Sequence, residues 1–233
     1  MKLETVGPFT LSTEGAFPLS TDAMLLGAFA APKRGDKVCD LGCGSGVLGL
    51  LLLAKEPELA VTGIDLDEDA LRCAAENIRR NALEDRFSLL PADLREPDTL
   101  PNGTFRYAVA NPPYFPEGSG GIREAQPRAV SETSCSPEKL FAAADRLLQW
   151  GGRLALVHRP ERLADLCAVG RSHRLEAKRL RLVRHHAGAA PSLLLCEFHK
   201  GGHPGLRWEN DLLLCLPDGS PSPELQIIYH QEG

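Results

Sequence analysis

Glycines at alternate positions directly after a short apolar run are the feature that most constrains the fold of this chain. Residues Lys37–Leu41 predict a strand, and Gly42, Gly44 and Gly46 follow it. Glycines at this spacing let a chain turn sharply and bring backbone amides close to a ligand. A helical pattern over Val47–Lys55 comes next. The sequence therefore predicts a strand, a ligand-binding loop and a helix in succession.

Strand and helix patterns alternate along much of the remaining chain. Apolar runs predict strands at residues 60–64, 87–90, 107–110 and 154–157, and helical spacing predicts helices at 67–81 and 137–148. This alternation is typical of a Rossmann-like α/β fold, a parallel sheet with helices on both faces. Two further runs, 175–183 and 193–198, predict an antiparallel pair that closes the sheet.

Length and composition favour a single domain. The 233 residues, 43% of them hydrophobic, suffice for one sizeable core. We expect one domain over residues 1–233, with a segment at 1–35 that closes over the ligand, a catalytic core at 36–200 and a tail at 201–233. The chain shows neither an apolar run of about 18 residues nor a signal-peptide pattern, so we expect a cytoplasmic protein without membrane insertion.

The cysteines, the histidines and the charge exclude several classes of site. Seven scattered cysteines include no C-x-x-C pair, and the histidines lack the spacing of a metal site. We therefore expect no metal, and mostly reduced, buried cysteines. The formal net charge of -5 argues against indiscriminate nucleic-acid binding.

Three aspartates lie at or just after the carboxyl ends of predicted strands, at the edge where an open α/β sheet contacts its ligand. Asp40 precedes the glycine loop, which can bind a nucleotide or an adenosyl amino acid. The G-x-G-x-G spacing of this loop differs from G-x-G-x-x-G, the pattern of dinucleotide-binding loops. Asp65 can accept hydrogen bonds from both hydroxyls of a ribose, or else cap the next helix. Asp93 can accept from an adenine amine, or else bond its own backbone. We expect the same site to include Cys43, Leu66, Ala92 and Leu94.

The segment Asn111-Pro112-Pro113-Tyr114 follows another predicted strand at the same edge. Consecutive prolines stiffen the backbone and leave carbonyls without local amide partners. The Asn111 side-chain oxygen and the Pro112 carbonyl can therefore both accept hydrogen bonds from one planar NH2 group, on which Tyr114 can stack. A bare N-P-P-Y also forms a rigid turn, but its position one strand beyond the glycine loop favours a reacting nitrogen.

These motifs resemble, in order, those of class I methyltransferases that act on amino nitrogens. Three segments narrow the resemblance to the bacterial tRNA adenine-N6 methyltransferases, which modify valine tRNA in the anticodon loop: 21–27 (Thr-Asp-Ala-Met-Leu-Leu-Gly), 111–115 (Asn-Pro-Pro-Tyr-Phe) and 157–162 (Val-His-Arg-Pro-Glu-Arg). The resemblance covers nearly the whole chain. Many relatives carry Ala-Arg-His-Glu after the catalytic loop, whereas this chain has Ala-Val-Ser-Glu at 129–132.

The resemblance implies a seven-stranded, mostly parallel sheet whose last strand is antiparallel. It implies S-adenosylmethionine as cofactor, S-adenosylhomocysteine as product, and RNA, in particular tRNA, as partner. Thr21 and Asp22 would flank the methionine end of the cofactor, and Asp93 would face its adenine. The implied catalytic residues are Asn111, Pro112, Pro113 and Tyr114.

Three functions are compatible with these residues: adenine-N6 methylation of RNA, methylation of a glutamine amide in a protein such as a release factor, and ligand binding without catalysis. Glutamine also presents a planar NH2 group, and related protein-directed enzymes share Asn-Pro-Pro-Tyr. Those enzymes usually carry an extra N-terminal helical domain, whereas fewer than forty residues precede the first predicted strand of the sheet here. Intact reactive positions disfavour a binding module, so RNA leads, and the number of assembled copies stays open.

One segment of the chain, 171–184, is basic, with six Lys or Arg residues against one acid, Glu176. A phosphate-contacting surface is one interpretation. A solvated strand face is the other, because alternation along a strand separates its charged and apolar residues. We expect His158, Trp150 and Trp208 to have structural rather than ligand-binding roles.

Overall fold

The computed structural model describes residues 3–14, 18–96, 100–112 and 136–230. Its strands are β1 (Leu3–Val6), β2 (Phe9–Ser12), β3 (Lys37–Leu41), β4 (Ala60–Asp65), β5 (Phe87–Pro91), β6 (Phe105–Ala110), β7 (Leu148–His158), β8 (Leu175–Arg184), β9 (Pro191–Lys200), β10 (Arg207–Trp208) and β11 (Leu212–Leu213). Its helices are α1 (Thr21–Phe29), α2 (Val47–Lys55), α3 (Glu68–Arg80), α4 (Pro137–Leu147), α5 (Leu163–Ser172) and α6 (Pro223–His230).

The central sheet has the strand order β5-β4-β3-β6-β7-β9-β8, and the two-residue strands β10 and β11 pair with the outer edge of β8. Strands β3 to β7 are parallel to one another, whereas β9 lies antiparallel between β7 and β8. The predicted parallel sheet and its closing antiparallel pair are therefore confirmed. The chain reverses direction across the sheet between β3 and β6, and ligands of such sheets bind in the crevice at that point.

Helices cover both faces of the sheet, as the alternation of patterns predicts. On one face α1 and α2 pack over the sheet, and residues Val47 to Leu53 of α2 are all buried. On the other face α4 and α5 contribute Phe141 and Leu166 to a second apolar cluster. None of the helices in the described ranges is long and apolar enough to cross a membrane. All six cysteines within those ranges are unpaired, and four of them are buried.

Helix α1 is fixed at its carboxyl end by a buried polar network near the amino ends of the parallel strands. The Tyr107 hydroxyl donates to Glu197 Oε2 at 2.6 Å and accepts from the Ala31 amide at 3.0 Å. Arg179 donates to the Phe29 carbonyl at 2.5 Å, and its guanidinium lies over the Phe29 ring. The opposite, amino end of α1 therefore points towards the carboxyl edge of the sheet.

The hairpin β1–β2, which the sequence patterns do not predict, is joined to the rest of the fold by Asn77 of α3. This fully buried side chain accepts from the Ser12 amide at 2.8 Å and donates to the Ser12 carbonyl at 2.8 Å. It also donates to the Ser45 carbonyl in the glycine loop at 2.9 Å. One amide side chain thus links the hairpin, α3 and the loop.

Asn77→Ala is expected to lower the free energy of unfolding by about 2 kcal/mol, because it leaves buried backbone groups of Ser12 and Ser45 without partners. Urea denaturation monitored by circular dichroism measures this change. Asn81→Ala is the matched control, since Asn81 makes equivalent bonds to Thr10 at a more exposed position. An Asn81→Ala loss as large as that of Asn77→Ala would contradict the role assigned to burial.

Candidate active site

The carboxyl ends of the central strands bring the predicted site residues to one edge of the sheet. Leu41, the last residue of β3, pairs with Ile64 of β4 and with Ala110 of β6. The residues that follow these three positions are Gly42, Asp65 and Asn111, which therefore lie together at the carboxyl ends of three adjacent strands. This edge is the topological reversal point of the sheet, where ligand sites of such folds lie.

The glycine loop departs from β3 through backbone conformations that favour glycine. Gly42, Gly44 and Gly46 have φ values of 75°, 55° and 82°. The Gly42 and Cys43 amides donate to the Ile64 carbonyl at 2.8 and 3.1 Å, which fixes the loop against β4. A Cβ atom built on Gly42 or Gly44 would meet nothing within 4 Å, so open space borders this loop.

Asp65 holds the glycine loop and still has acceptor capacity. Its Oδ2 accepts from the Gly44 amide at 2.8 Å, and its Oδ1 accepts from the Asp67 amide at 3.0 Å. The cap of α3 is Asp67, whose side chain accepts from the Asp69 and Ala70 amides. A carboxylate offers about four lone-pair sites, so two hydroxyls can still bind to Asp65. The neighbouring Leu66 is exposed.

Asp40 is fully buried beneath the loop, and neither of its carboxylate oxygens has a hydrogen-bond partner within the described ranges. Burial raises the pKa of Asp40 to about 7. The Gly49 amide lowers this pKa, although its contact falls short of a hydrogen bond, and the charge of Asp65 raises it. A buried carboxylate without partners is suited to a ligand that brings a cation or a hydrogen-bond donor.

The Asp93 carboxylate forms hydrogen bonds within its own loop, which is the alternative to adenine binding that the sequence leaves open. Its Oδ1 accepts from the Arg95 backbone amide at 2.8 Å, and its two oxygens accept from Arg95 Nε at 2.9 and 2.8 Å. The hydrogen bonds from the Arg95 side chain are the main cause of a lowered pKa of Asp93. The Ala92 amide donates to the Asp65 carbonyl at 3.0 Å, and Leu94 packs against the second apolar cluster. An adenine contact of Asp93 stays a prediction.

The amino end of α1 reaches the same edge. Ser20 caps the helix by accepting from the Ala23 amide. Burial raises the pKa of the half-buried Asp22, and the charge of Arg159 acts in the opposite direction. Arg159 directly follows His158, the last residue of β7, so Thr21 and Asp22 lie near the carboxyl edge of the sheet.

His158 forms a hydrogen bond with the backbone of the turn after β7. Its Nδ1 accepts from the Arg159 amide at 2.8 Å. Burial, followed by the charge of Arg162, lowers the pKa of His158 to about 4. The ring is therefore neutral near pH 7. It serves as a hydrogen-bond acceptor at the start of the turn after β7.

The structure describes only the first two residues of the segment Asn111-Pro112-Pro113-Tyr114. Asn111 is half-buried and Pro112 is buried, directly after β6. Pro113 and Tyr114 lie outside the described residues, as does the Ala-Val-Ser-Glu segment at 129–132. Within the described part of the chain, no group of three or more side chains has the composition of a metal site.

The five arginines of the basic segment 171–184 are paired with acidic neighbours. Glu176, for example, accepts two hydrogen bonds of 2.7 Å from Arg171. Lys178 donates to the His203 carbonyl. Because these cations have partners within the protein, the segment carries less unpaired charge than its composition indicates, and its contact with phosphate stays a prediction. The remaining ion pairs are Arg174–Asp145, Arg179–Glu197, Arg179–Glu209, Arg181–Glu224 and Arg184–Asp211.

Both tryptophans are largely exposed, and the choice between packing and ligand contact stays a prediction. Trp150 is 68% exposed and Trp208 is 58% exposed. Trp150 lies in the part of β7 that the sequence pattern does not predict, with its ring against Gly201, and Trp208 lies on the edge strand β10. Trp150 also borders a cleft of about 650 Å³ with Arg146 and Arg174 near the amino ends of the parallel strands, away from the glycine loop.

The sheet order and the loop at its reversal point define a class I methyltransferase, an S-adenosylmethionine-dependent enzyme. The family model of the methyltransferase small domain matches residues 20–165. A tRNA1(Val) (adenine(37)-N6)-methyltransferase from Porphyromonas gingivalis is 32% identical over 190 residues, which cover 78% of this chain and 74% of the relative. The chain thus belongs to the methyltransferase small domain family and, within it, to the tRNA1(Val) (adenine(37)-N6)-methyltransferase family.

Solved structures agree on the fold. A predicted O-methyltransferase from Agrobacterium tumefaciens matches with a TM-score of 0.74 and 23% identity, over 90% of this chain and 95% of that one. Geranyl diphosphate C-methyltransferase from Streptomyces coelicolor, solved with S-adenosyl-L-homocysteine, matches with a TM-score of 0.57 and 12% identity, over 76% of this chain and 79% of that one.

S-adenosylmethionine fits the residues present at this edge. The molecule carries an ammonium group, a sulfonium and two ribose hydroxyls. The buried, unpartnered carboxylate of Asp40 suits a cationic ligand, and the spare acceptor sites of Asp65 suit hydroxyls. Open space beside Gly42 and Gly44 leaves room for a ligand next to the backbone.

Proposed function

We propose that this protein transfers the methyl group of S-adenosylmethionine to N6 of an adenine in tRNA. The observation that carries the proposal is the position of Asn111. It follows Ala110, which pairs with Leu41 in the sheet, so the loop that Asn111 starts lies beside the glycine loop. The similarity to tRNA1(Val) (adenine(37)-N6)-methyltransferases favours tRNA over a glutamine amide as the acceptor. A tRNA substrate assigns the protein to the cytoplasm.

In this proposal the cofactor is held by the core, 36–200, and covered by the segment 1–35, with the tail at 201–233 outside the binding site. Asp65 accepts from the ribose hydroxyls while it fixes the Gly44 amide. Asp40 offsets positive charge at the methionine end, where Thr21 and Asp22 also lie. When bound, the cofactor supplies an electrophilic methyl group on a sulfonium.

The acceptor amine is positioned by the Asn111 side-chain oxygen and the Pro112 carbonyl, each of which accepts a hydrogen bond from one of its two N–H groups. These hydrogen bonds orient the lone pair of the nitrogen towards the methyl donor, and such positioning can contribute several kcal/mol. Tyr114 stacks on the base. Little base strength is required of the protein, because a methylated, cationic amine loses its proton readily.

The proposed activity is tested by incubating the protein with cofactor labelled in its methyl group and with separate pools of tRNA, rRNA, DNA and protein. We expect label in tRNA, recovered as N6-methyladenosine after digestion to nucleosides. Label in protein, recovered as N5-methylglutamine, would overturn the proposal in favour of the glutamine alternative. Label in rRNA or DNA alone would overturn the assignment to tRNA.

Asp65→Asn is expected to weaken cofactor binding about 10- to 100-fold. The amide replaces one acceptor oxygen with an NH2 donor, which cannot accept from both the Gly44 amide and the ligand hydroxyls. Titration calorimetry with S-adenosylhomocysteine measures the affinity. Asp67→Asn is the control, since Asp67 caps α3 from a neighbouring position. Equal affinities of the two variants would refute the assigned role of Asp65.

A further inference from the structure

The last described helix, α6, is attached to the sheet by specific contacts. Arg181 of β8 donates to both carboxylate oxygens of Glu224 at 2.6 and 2.7 Å. Ser222, itself buried, accepts from the Leu225 amide at 3.1 Å and so caps the helix. Ile228 is buried in the same apolar cluster as the residues of α1. Contacts with β8 and with the apolar cluster therefore fix the position of α6.

These attachments bring Tyr229 of α6 to the first residue of α1. The Tyr229 hydroxyl and Thr21 Oγ1 share a hydrogen bond of 2.9 Å between residues that are 208 positions apart in the sequence. Both side chains are exposed, and Tyr229 retains 42% of its surface. Thr21 therefore has its side chain held in one orientation while remaining accessible to a ligand.

Thr21 lies at the rim of the candidate active site. Helix α1 ends near the amino edge of the sheet, where Ala31 meets Tyr107, so its first turn lies at the carboxyl edge. The charge of Arg159, at the end of β7, acts on Asp22 in that first turn. The contact with Tyr229 thus joins α6 to the edge at which the glycine loop and Asn111 also lie.

We propose that Tyr229 is a positioning residue for cofactor binding, acting through its hydrogen bond to Thr21. The proposal rests on the proposed assignment of Thr21 to the methionine end of the cofactor. An exposed threonine loses rotational freedom when it binds a ligand, and a partner that orders it beforehand reduces this loss. Helix α6, in the tail that follows the core 36–200, thereby contributes to the affinity of a site that it does not line.

The test compares Tyr229→Phe with the wild type in the full-length protein. This substitution removes only the hydroxyl, so the thermal unfolding midpoint should stay the same. We expect the Kd of S-adenosylhomocysteine and the KM of S-adenosylmethionine to rise about three- to tenfold, with kcat unchanged. Ile227→Ala is the matched control on the same helix, because Ile227 is 71% exposed, and it should bind as the wild type does.

A double-mutant cycle separates the proposed pathway from a general effect on the helix. Thr21→Val removes the partner hydroxyl, so adding Tyr229→Phe to it should weaken binding no further. Wild-type or tighter binding by Tyr229→Phe, an independent loss in the double variant, or an equal loss in Ile227→Ala would each overturn the proposal. Calorimetry with S-adenosylhomocysteine requires no RNA, so failure of this inference is distinguishable from failure to methylate tRNA.

Discussion

Asn111→Ala is expected to lower kcat for methyl transfer about 10²- to 10³-fold while the affinity for S-adenosylhomocysteine changes less than about threefold. In the proposed mechanism, alanine removes the amide oxygen that accepts a hydrogen bond from the reacting amine, whereas the glycine loop and Asp65 keep their own contacts. The rate is measured with labelled cofactor under single-turnover conditions, and the affinity by calorimetry.

The same measurements on Asn102→Ala provide the control, because Asn102 is an exposed asparagine before β6, at the opposite end of the strand from Asn111. It should retain wild-type turnover. A variant Asn111→Ala that loses cofactor binding but turns over normally when saturated would contradict the role assigned to Asn111. Such a result would make Asn111 a cofactor ligand alone.

The elements around the candidate site are those that sequence patterns predict best. The bounds predicted for β3 and α2 agree with the structure, Lys37–Leu41 and Val47–Lys55. Buried parallel strands are continuous apolar runs, and the glycines between them end the strand sharply, so both boundaries are visible in the sequence. Because the carboxyl ends of parallel strands share an edge, motifs that follow such strands can be assigned to one site without coordinates.

Features that depend on distant contacts are not predictable in this way. The hairpin β1–β2 is stabilised by Asn77 of α3 and by Asn81, which caps the carboxyl end of that helix; both lie more than sixty residues further along the chain. Strand β7 begins at Leu148, but its first half is not an apolar run, so the sequence pattern predicts only its second half. The basic segment has the charge of a phosphate-binding surface, but its acidic partners come from α4, β9 and α6.

The charge state of Asp40 is a further property of the folded chain alone. The sequence identifies Asp40 as a site residue, but its full burial arises from the packing of α2 and β4 around β3. Likewise, the hydrogen bond between Tyr229 and Thr21 has no sequence signal, because it depends on how α6 is attached to β8.

Asp40→Asn is expected to stabilise the cofactor-free protein at pH 8, by on the order of 3 kcal/mol, and to stabilise it less at pH 5. The pKa of Asp40 is raised from 3.8 to about 7 by burial, so between these values the folded state binds a proton that the unfolded state has released. The contribution of Asp40 to stability is therefore greatest below pH 3.8 and is lost as the pH rises to about 7. Urea denaturation at the two pH values measures the difference.

The same substitution should weaken S-adenosylhomocysteine binding at least about tenfold at pH 8, because the carboxylate that opposes folding is the one that a cationic ligand stabilises. Binding to the wild type should release protons near neutral pH, which calorimetry in buffers of different ionisation enthalpy detects. Asp85→Asn, in an exposed turn before β5, is the control for loss of one negative charge. If Asp40→Asn lowered stability at pH 8, Asp40 would have to be charged and well partnered in the cofactor-free protein. Its carboxylate would then not depend on the ligand for a partner.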